Sequence, residues 1–126
     1  MSEKLIANKK KVLIIDSEFV ILMWLRSFLG SEFNVETAGE YGAACKKIQA
    51  HKYDMIVTEF NLRGLGDRNG TDFVQEIRQS ALNGDTPVIC MTGCKLEKAE
   101  KENFVAVIGK PDTEDLLFAT IKNCIG

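Results

Sequence analysis

Five short apolar runs alternate with longer, mostly helical segments along this chain. Most of the runs are rich in valine and isoleucine and have no alternating polar face, which is typical of strands buried on both faces of a parallel sheet. The second run alternates weakly and indicates an edge strand. The predicted strands are Lys11 to Asp16, Phe33 to Thr37, Asp54 to Thr58, Thr86 to Thr92 and Phe104 to Ile108.

A helix is predicted after each strand, mostly from apolar residues spaced three and four apart. The predicted helices are Phe19 to Leu29, Glu40 to His51, Asp72 to Gln79, about two turns within the charged segment Gly93 to Asn103, and Asp112 to Cys124. This (βα)5 alternation predicts an α/β fold, a doubly wound five-stranded parallel sheet in a three-layer sandwich. In the flavodoxin-like strand order 2-1-3-4-5, a crevice lies between strands one and three. We expect one domain over residues 1–126, with 1–9 as a flexible N-terminus.

The first helix carries more apolar residues than one buried stripe needs. In the first helix we expect one face to pack on the sheet: Glu18, Ile21, Leu22, Leu25, Phe28 and Leu29. Val20, Met23 and Trp24 fall on the other side. They either pack against a neighbouring loop or helix, or form a docking surface. The last helix has an apolar stripe of Leu116, Leu117, Phe118, Ile121 and Cys124.

Composition excludes several classes of function. The net charge of −2 gives no electrostatic basis for nucleic-acid binding. Four cysteines without a C-x-x-C pair, together with a single histidine, argue against a zinc site. We expect all four to be reduced, with Cys45, Cys90 and Cys124 mostly buried. The segment Met1 to Asn8 lacks the apolar core of a signal peptide, and no run is long enough to cross a membrane. We therefore expect a cytoplasmic protein that binds neither nucleic acid nor membrane.

Polar residues end four of the predicted strands. Asp16 and Thr92 end the first and fourth strands, and Glu59 and Lys110 follow at the ends of the third and fifth. Because the carboxyl ends of parallel strands share one edge of the sheet, these side chains should lie on one rim. The turn that begins at Asp16 lacks a glycine-rich phosphate cradle.

This series resembles the bacterial response-regulator receiver (CheY-like) domain. The resemblance rests on acids after strand one, an acid ending strand three, a threonine ending strand four and Lys110-Pro111 after strand five, and it covers about Lys10 to Cys124. In that family, the strand-three aspartate accepts a phosphoryl group from a histidine kinase. Two acids after strand one, the same aspartate and a nearby carbonyl bind Mg²⁺.

The resemblance implies a role for each position in this sequence. The two metal-binding acids correspond to Asp16 and Ser17, the phosphoacceptor to Glu59, and the carbonyl ligand to Asn61. The implied metal ligands are thus Asp16, Glu59 and Asn61. Thr92 and Lys110 correspond to the residues that hold the phosphoryl oxygens.

Three positions depart from the family pattern. Glu59 is one methylene longer than aspartate, and a misplacement of about 1 Å can cost about 100-fold in a transfer that depends on positioning. Ser17 replaces a direct metal ligand, so we expect weak Mg²⁺ binding or none, and no other cofactor. The alternative for Ser17 is that its hydroxyl simply caps the first helix. Val107 stands where the family usually has a tyrosine or phenylalanine.

These departures favour an atypical receiver, or pseudo-receiver, of a two-component or phosphorelay system. It would act as a protein-interaction module without conventional aspartyl phosphorylation, and not as an enzyme. One alternative is a working phosphoacceptor receiver in a phosphorelay, which Thr92 and Lys110 support. Another is a small-molecule-binding flavodoxin-like enzyme on the same sheet.

The expected partners follow from the same resemblance. They are a histidine kinase, a phosphotransfer protein or a downstream signalling protein, because in this family the kinases and phosphotransfer domains dock beside the first helix. Val20, Met23 and Trp24 are therefore the candidate contact residues. The family also allows a homodimer through the last helix and the fifth strand. With no output domain in the sequence, we expect the signal to pass by contact with another chain, or the module to be part of a larger protein.

Overall fold

Five parallel strands form the centre of the computed structural model, which describes residues 9–110 and 114–125. In chain order the strands are β1 (Lys11–Ile15), β2 (Asn34–Ala38), β3 (Met55–Glu59), β4 (Val88–Thr92) and β5 (Ala106–Gly109). Their order in the sheet is β2-β1-β3-β4-β5, which confirms the predicted topology. Of the predicted flexible N-terminus, residues 1–8 lie outside the described residues. Lys9 is described, and its Nζ donates to the Gly30 carbonyl oxygen at 3.1 Å.

A helix follows each strand. The helices are α1 (Phe19–Leu29), α2 (Tyr41–Ala50), α3 (Gly70–Gln79), α4 (Lys98–Lys101) and α5 (Glu114–Ile125). α3 begins two residues earlier than predicted, because Asn69 caps it: its side chain accepts from Thr71 N at 2.8 Å, and its own N–H donates to Asp72 Oδ2 at 3.0 Å. No helix within the described residues has the length and apolar character to cross a membrane.

The segment between β4 and β5 differs from the prediction. α4 is a single turn rather than about two turns, and it buries no side chain, so no apolar face stabilises a longer helix. β5 begins at Ala106 rather than Phe104. Phe104 is instead buried in the core ahead of the strand, while Val105 is exposed and its N–H donates to the Val88 carbonyl at 2.9 Å.

The core consists of two layers, one on each face of the sheet. Alternate residues of β1 point to opposite layers: Leu13 and Ile15 to one, Val12 and Ile14 to the other. α2 and α3 cover the first layer with Ala44, Ile48, Phe73, Val74 and Ile77. α1 and α5 cover the second layer with Leu22, Leu25, Leu29, Leu117 and Ile121. This arrangement confirms the predicted three-layer sandwich.

The buried face of α5 differs from the predicted stripe. Leu117, Ile121 and Ile125 pack on the second layer at a spacing of four residues, the natural spacing along one helix face. Leu116 lies about 100° away from that face and is exposed. Cys124 is also exposed, so its predicted burial is wrong, because Ile125 takes the inward position in the last turn. Cys90 is buried as predicted, and Cys45 is partly buried.

The inward face of α1 is narrower than predicted. Leu22, Leu25 and Leu29 are buried, whereas Glu18 and Phe28 are exposed. Phe28 covers part of its ring by an edge-on contact with Phe118 of α5, with ring centroids 6.0 Å apart.

Candidate functional site

The strand register places four polar residues at one edge of the sheet. Ile15 pairs with Thr58, so Asp16 and Glu59 follow at the same level on adjacent strands. Thr92 pairs with Gly109, which brings Lys110 to the same edge. Because β1 and β3 connect to strands on opposite sides, their ends border the crevice where doubly wound sheets bind ligands.

Asp16 is completely buried at the end of β1. Its Oδ1 accepts a hydrogen bond from the backbone N–H of Glu18 at 2.8 Å, and its Oδ2 accepts from Lys110 Nζ at 2.5 Å. Burial raises the pKa of the Asp16 carboxyl, although the bonds from Lys110 and Glu18 oppose that rise. The negative charge of the buried Asp16 carboxylate is therefore stabilised by the Lys110 ammonium.

Glu59 ends β3 with both carboxylate oxygens bonded. Oε1 accepts from the backbone N–H of Ser17 at 3.0 Å and also from the Ser17 hydroxyl. Oε2 accepts from Lys110 Nζ at 3.2 Å. The carboxylate is thus held on one side by the β1–α1 loop and on the other by an ammonium group.

Lys110 joins the two acids. Its side chain is 16% exposed, and its Nζ lies within salt-bridge distance of both Asp16 and Glu59. Burial alone would lower the pKa of Lys110, but the hydrogen bond to Asp16 and the charges of both carboxylates raise it overall. Lys110 is therefore a charged ammonium that bridges the ends of β1 and β3 from the end of β5.

Ser17 belongs to the site and does not cap α1. The N-cap residue of α1 is Glu18, which makes no side-chain capping bond. The Ser17 hydroxyl instead donates to Glu59 and accepts from the backbone N–H of Arg63 at 2.9 Å. The capping alternative is therefore wrong. Sequence reasoning missed the Arg63 contact, since no side-chain pattern indicates a backbone donor from a loop 46 residues away.

The other predicted site residues lie nearby without joining this network. Thr92 is buried, and its Oγ1 accepts from the backbone N–H of Cys94 at 3.0 Å. Asn61 is exposed, and its side-chain amide lies 3.7 Å from the Cys94 sulfur. Val107 is half-buried and packs against the first core layer. The structure thus brings Asp16, Ser17, Glu59 and Lys110 into direct contact and leaves Thr92 and Asn61 at the rim.

The bonded residues do not fit Mg²⁺. Mg²⁺ needs oxygen ligands in near-octahedral geometry and is usually held by one or two carboxylates with several waters, so it needs open space between the acids. All four carboxylate oxygens of Asp16 and Glu59 already accept hydrogen bonds, and the Lys110 ammonium lies between the two groups. Ser17 directs its hydroxyl proton at Glu59 rather than offering a second anion. Among the described residues, no cluster of three or more His, Cys, Asp or Glu side chains is arranged to hold a metal ion.

Residues 12–122 match the family described as the response regulator receiver domain. This chain belongs to that family. Receiver domains are signalling modules of two-component systems that interact with histidine kinases and downstream signalling proteins, and they are generally not enzymes. The resemblance predicted from the strand-end residues is confirmed.

Solved receiver structures share the fold. The chemotaxis protein CheY4 of Vibrio cholerae is 23% identical, with a TM-score of 0.80 over 92% of this chain and 98% of its own. The response regulator TrrA of Thermotoga maritima, solved with Mg²⁺ and BeF, is 23% identical, with a TM-score of 0.78 over 91% and 98%. A CheY-like receiver from Methylobacillus flagellatus is 18% identical, with a TM-score of 0.82 over 93% and 99%. No curated protein is similar enough in sequence to count as a relative.

One face of α1 is apolar and exposed beside the receiver crevice. Within the described part of the chain, Val20 is 76% exposed, Met23 47% and Trp24 44%. Phe19, which sequence reasoning did not single out, is 72% exposed and extends the same patch. We call these four residues the α1 apolar surface. Large contiguous patches of exposed apolar side chains are a common feature of protein–protein interaction sites.

Proposed function

We propose that this chain is an atypical receiver, a protein-interaction module of a two-component or phosphorelay system that does not use conventional aspartyl phosphorylation and is not an enzyme. One observation carries the proposal. Both carboxylate oxygens of Glu59, the residue that the family resemblance aligns with the phosphoacceptor, are engaged, one by Ser17 and the other by Lys110.

The geometry opposes phosphoryl transfer to Glu59. An attacking oxygen must approach phosphorus in line, and catalysis of this reaction is almost entirely positioning and charge stabilisation. The Glu59 oxygens are displaced by an extra methylene and bonded to donors that stabilise the carboxylate as it stands. Because Ser17 replaces an acid, the crevice also lacks one ligand for a metal ion. Such an ion would be needed to bring a phosphodonor close to the two negative charges.

The same contacts support a binding role. Lys110 ties the ends of β1 and β3 together, and α1 begins directly after the loop that contains Ser17 and Glu18. The α1 apolar surface thus lies next to a crevice whose acidic residues are already bonded to other residues of the chain. Its proposed partner is a histidine kinase, a phosphotransfer domain or a downstream signalling protein, with Val20, Met23 and Trp24 as contacts.

Incubation with acetyl phosphate and Mg²⁺, followed by intact mass measurement and Trp24 fluorescence, tests the proposal. We expect no added phosphoryl mass and no Mg²⁺-dependent change in emission. The double variant Ser17→Asp, Glu59→Asp serves as the matched comparison, because it restores both missing aspartates and is expected to gain label. A phosphoryl group on Glu59 or Asp16 of the wild type would overturn the proposal and establish a working phosphoacceptor, the alternative that Thr92 and Lys110 favour.

A further inference from the structure

The crevice of this receiver contains its own cation. The Lys110 ammonium lies 2.5 Å from Asp16 Oδ2 and 3.2 Å from Glu59 Oε2. The remaining two carboxylate oxygens accept from Glu18 N–H and from Ser17. Each of the four carboxylate oxygens therefore accepts at least one hydrogen bond from the chain itself, and the ammonium lies between the two acids.

Charge and hydrogen bonds together explain how one ammonium stabilises two acids. Asp16 and Glu59 contribute two negative charges, Lys110 contributes one positive charge, and Ser17 contributes a neutral hydroxyl that acts as a donor. A buried carboxylate such as Asp16 is costly unless it is paired and hydrogen-bonded. Asp16, Glu59 and Lys110 together keep a net charge of −1, which the hydrogen bonds from Ser17 and the Glu18 N–H stabilise. A carboxylate at position 17 would raise that net charge to −2 and remove the Ser17 hydroxyl donor, and a divalent ion would then be needed.

We infer that the Lys110 ammonium is the resident cation of this crevice and replaces the divalent ion that the family resemblance implies. Mg²⁺ gives up its water shell reluctantly. To enter, it would have to displace a mostly buried ammonium from two carboxylates and turn the Ser17 hydroxyl away from Glu59. The crevice therefore takes up a divalent ion only when Lys110 is removed or a third carboxylate is added.

This arrangement has a conformational consequence. Lys110 follows β5, Asp16 follows β1 and Glu59 ends β3, so one side chain joins the ends of three strands. In this receiver the three strand ends are linked by Lys110, a residue of the chain itself. The three strand ends should consequently keep the same arrangement with Mg²⁺ and with a chelator.

Thermal unfolding in MgCl2 and in EDTA, at constant ionic strength, tests the inference. We expect the wild-type midpoint to be unchanged by Mg²⁺, and Lys110→Met to be destabilised in EDTA and restored by several degrees in Mg²⁺. Lys110→Arg keeps the positive charge and should stay unresponsive. Lys122→Met, which removes an exposed lysine paired with Glu32, is the matched control and should also be unresponsive.

A second pair of variants decides the question if Lys110→Met does not fold. Ser17→Asp adds the third carboxylate and should gain a Mg²⁺-dependent rise in the midpoint, with saturable Mg²⁺ binding by calorimetry. Ser17→Asn is similar in size but neutral and should gain neither. The inference is overturned if the wild type responds to Mg²⁺ as strongly as the variants, or if neither Lys110→Met nor Ser17→Asp responds.

The inference deepens the proposed function and rests on it, because both concern the same crevice. The unfolding and calorimetry measurements contain no phosphodonor, so the resident-cation inference and the proposed function can fail separately. A wild type that binds Mg²⁺ yet takes no phosphoryl label would overturn only the resident-cation inference. A wild type that takes label without any Mg²⁺ response would overturn only the proposed function.

Discussion

Ser17 binds Glu59 twice, through its backbone N–H and through its hydroxyl. The same hydroxyl accepts the backbone N–H of Arg63, so one small side chain joins the end of β3, the loop after β1 and the loop before α3. A carboxylate at position 17 could accept from Arg63 but could not donate to Glu59, and its charge would repel that acid. The serine and the glutamate therefore form a compatible pair.

Ser17→Ala should destabilise the protein by about 1–3 kcal/mol. The change removes a hydrogen bond to a charged acceptor, which contributes about 1.5–3 kcal/mol, whereas water can replace the hydroxyl as partner of the exposed Arg63 N–H. Urea denaturation followed by Trp24 fluorescence measures the difference. Ser31→Ala, at an exposed turn position, is the control and should change stability by no more than about 0.5 kcal/mol. Equal effects in the two variants would contradict this role for Ser17.

Asn83 should be among the most sensitive polar positions for stability. It is completely buried at the end of the sheet opposite the crevice, and all four of its side-chain hydrogen-bonding positions are used. Its amide donates to two carbonyls and its oxygen accepts from two donors: Ile48 O, His51 O, Tyr53 N and Thr86 Oγ1. Asn83→Ala removes the partner of Tyr53 N and of the two carbonyls, although the Thr86 hydroxyl can still donate to the Tyr53 carbonyl, and the change should cost about 2–4 kcal/mol.

Chemical denaturation of Asn83→Ala and Asn123→Ala provides the comparison. Asn123 is exposed in the last helix, so its replacement should be nearly neutral. A loss of less than about 1 kcal/mol for Asn83→Ala would show that these bonds contribute little beyond what water supplies to the unfolded chain.

Glu36 should make stability depend on pH in the acid range. Burial alone would raise the pKa of Glu36, but the Tyr53 hydroxyl at 2.8 Å and the cations Lys11 and Lys47 lower it overall from its ordinary value of 4.5. A pKa lowered by folding means that the stabilisation is fully present above the unfolded value and is lost as the pH falls through the folded value.

Glu36→Gln tests this dependence. The difference in unfolding free energy between wild type and variant should be constant near neutral pH and should shrink as the pH falls below about 4.5. Urea titrations at a series of pH values measure it. A difference that stays constant down to strongly acidic pH would show that Glu36 is not stabilised in its charged form.

Met23→Glu should abolish partner binding without reducing stability. Met23 lies between Val20 and Trp24 on the α1 apolar surface, and a buried unpaired charge at the centre of an interface is strongly unfavourable. Capture of histidine kinases and phosphotransfer proteins from the host lysate, with identification by mass spectrometry, measures the effect. Leu82→Glu places the same change at an exposed leucine outside α1. Undiminished capture of the same partners by Met23→Glu would remove this surface as the docking site.

The order of secondary structure follows from local sequence patterns. β-branched apolar runs such as Val12 to Ile15 are too short for helices and apolar on both faces, so they specify buried parallel strands. The alternation of these runs with helical segments leaves few topologies, and the strand ends then bring Asp16, Glu59 and Lys110 to one rim. The short α4 and the exposed Cys124 were mispredicted, because the end of a helix depends on which neighbouring surface is available to bury it.

The sequence by itself determined the fold, the family and the residues that meet at the crevice, because strand periodicity and strand ends are local properties. Only the tertiary structure decided how those residues bond to one another. Lys110 reaches Asp16 across 94 residues and Glu59 across 51, and Ser17 turns its hydroxyl toward Glu59 rather than into α1. Such choices depend on distances of a few ångströms between side chains from different strands, and no spacing along the chain encodes them.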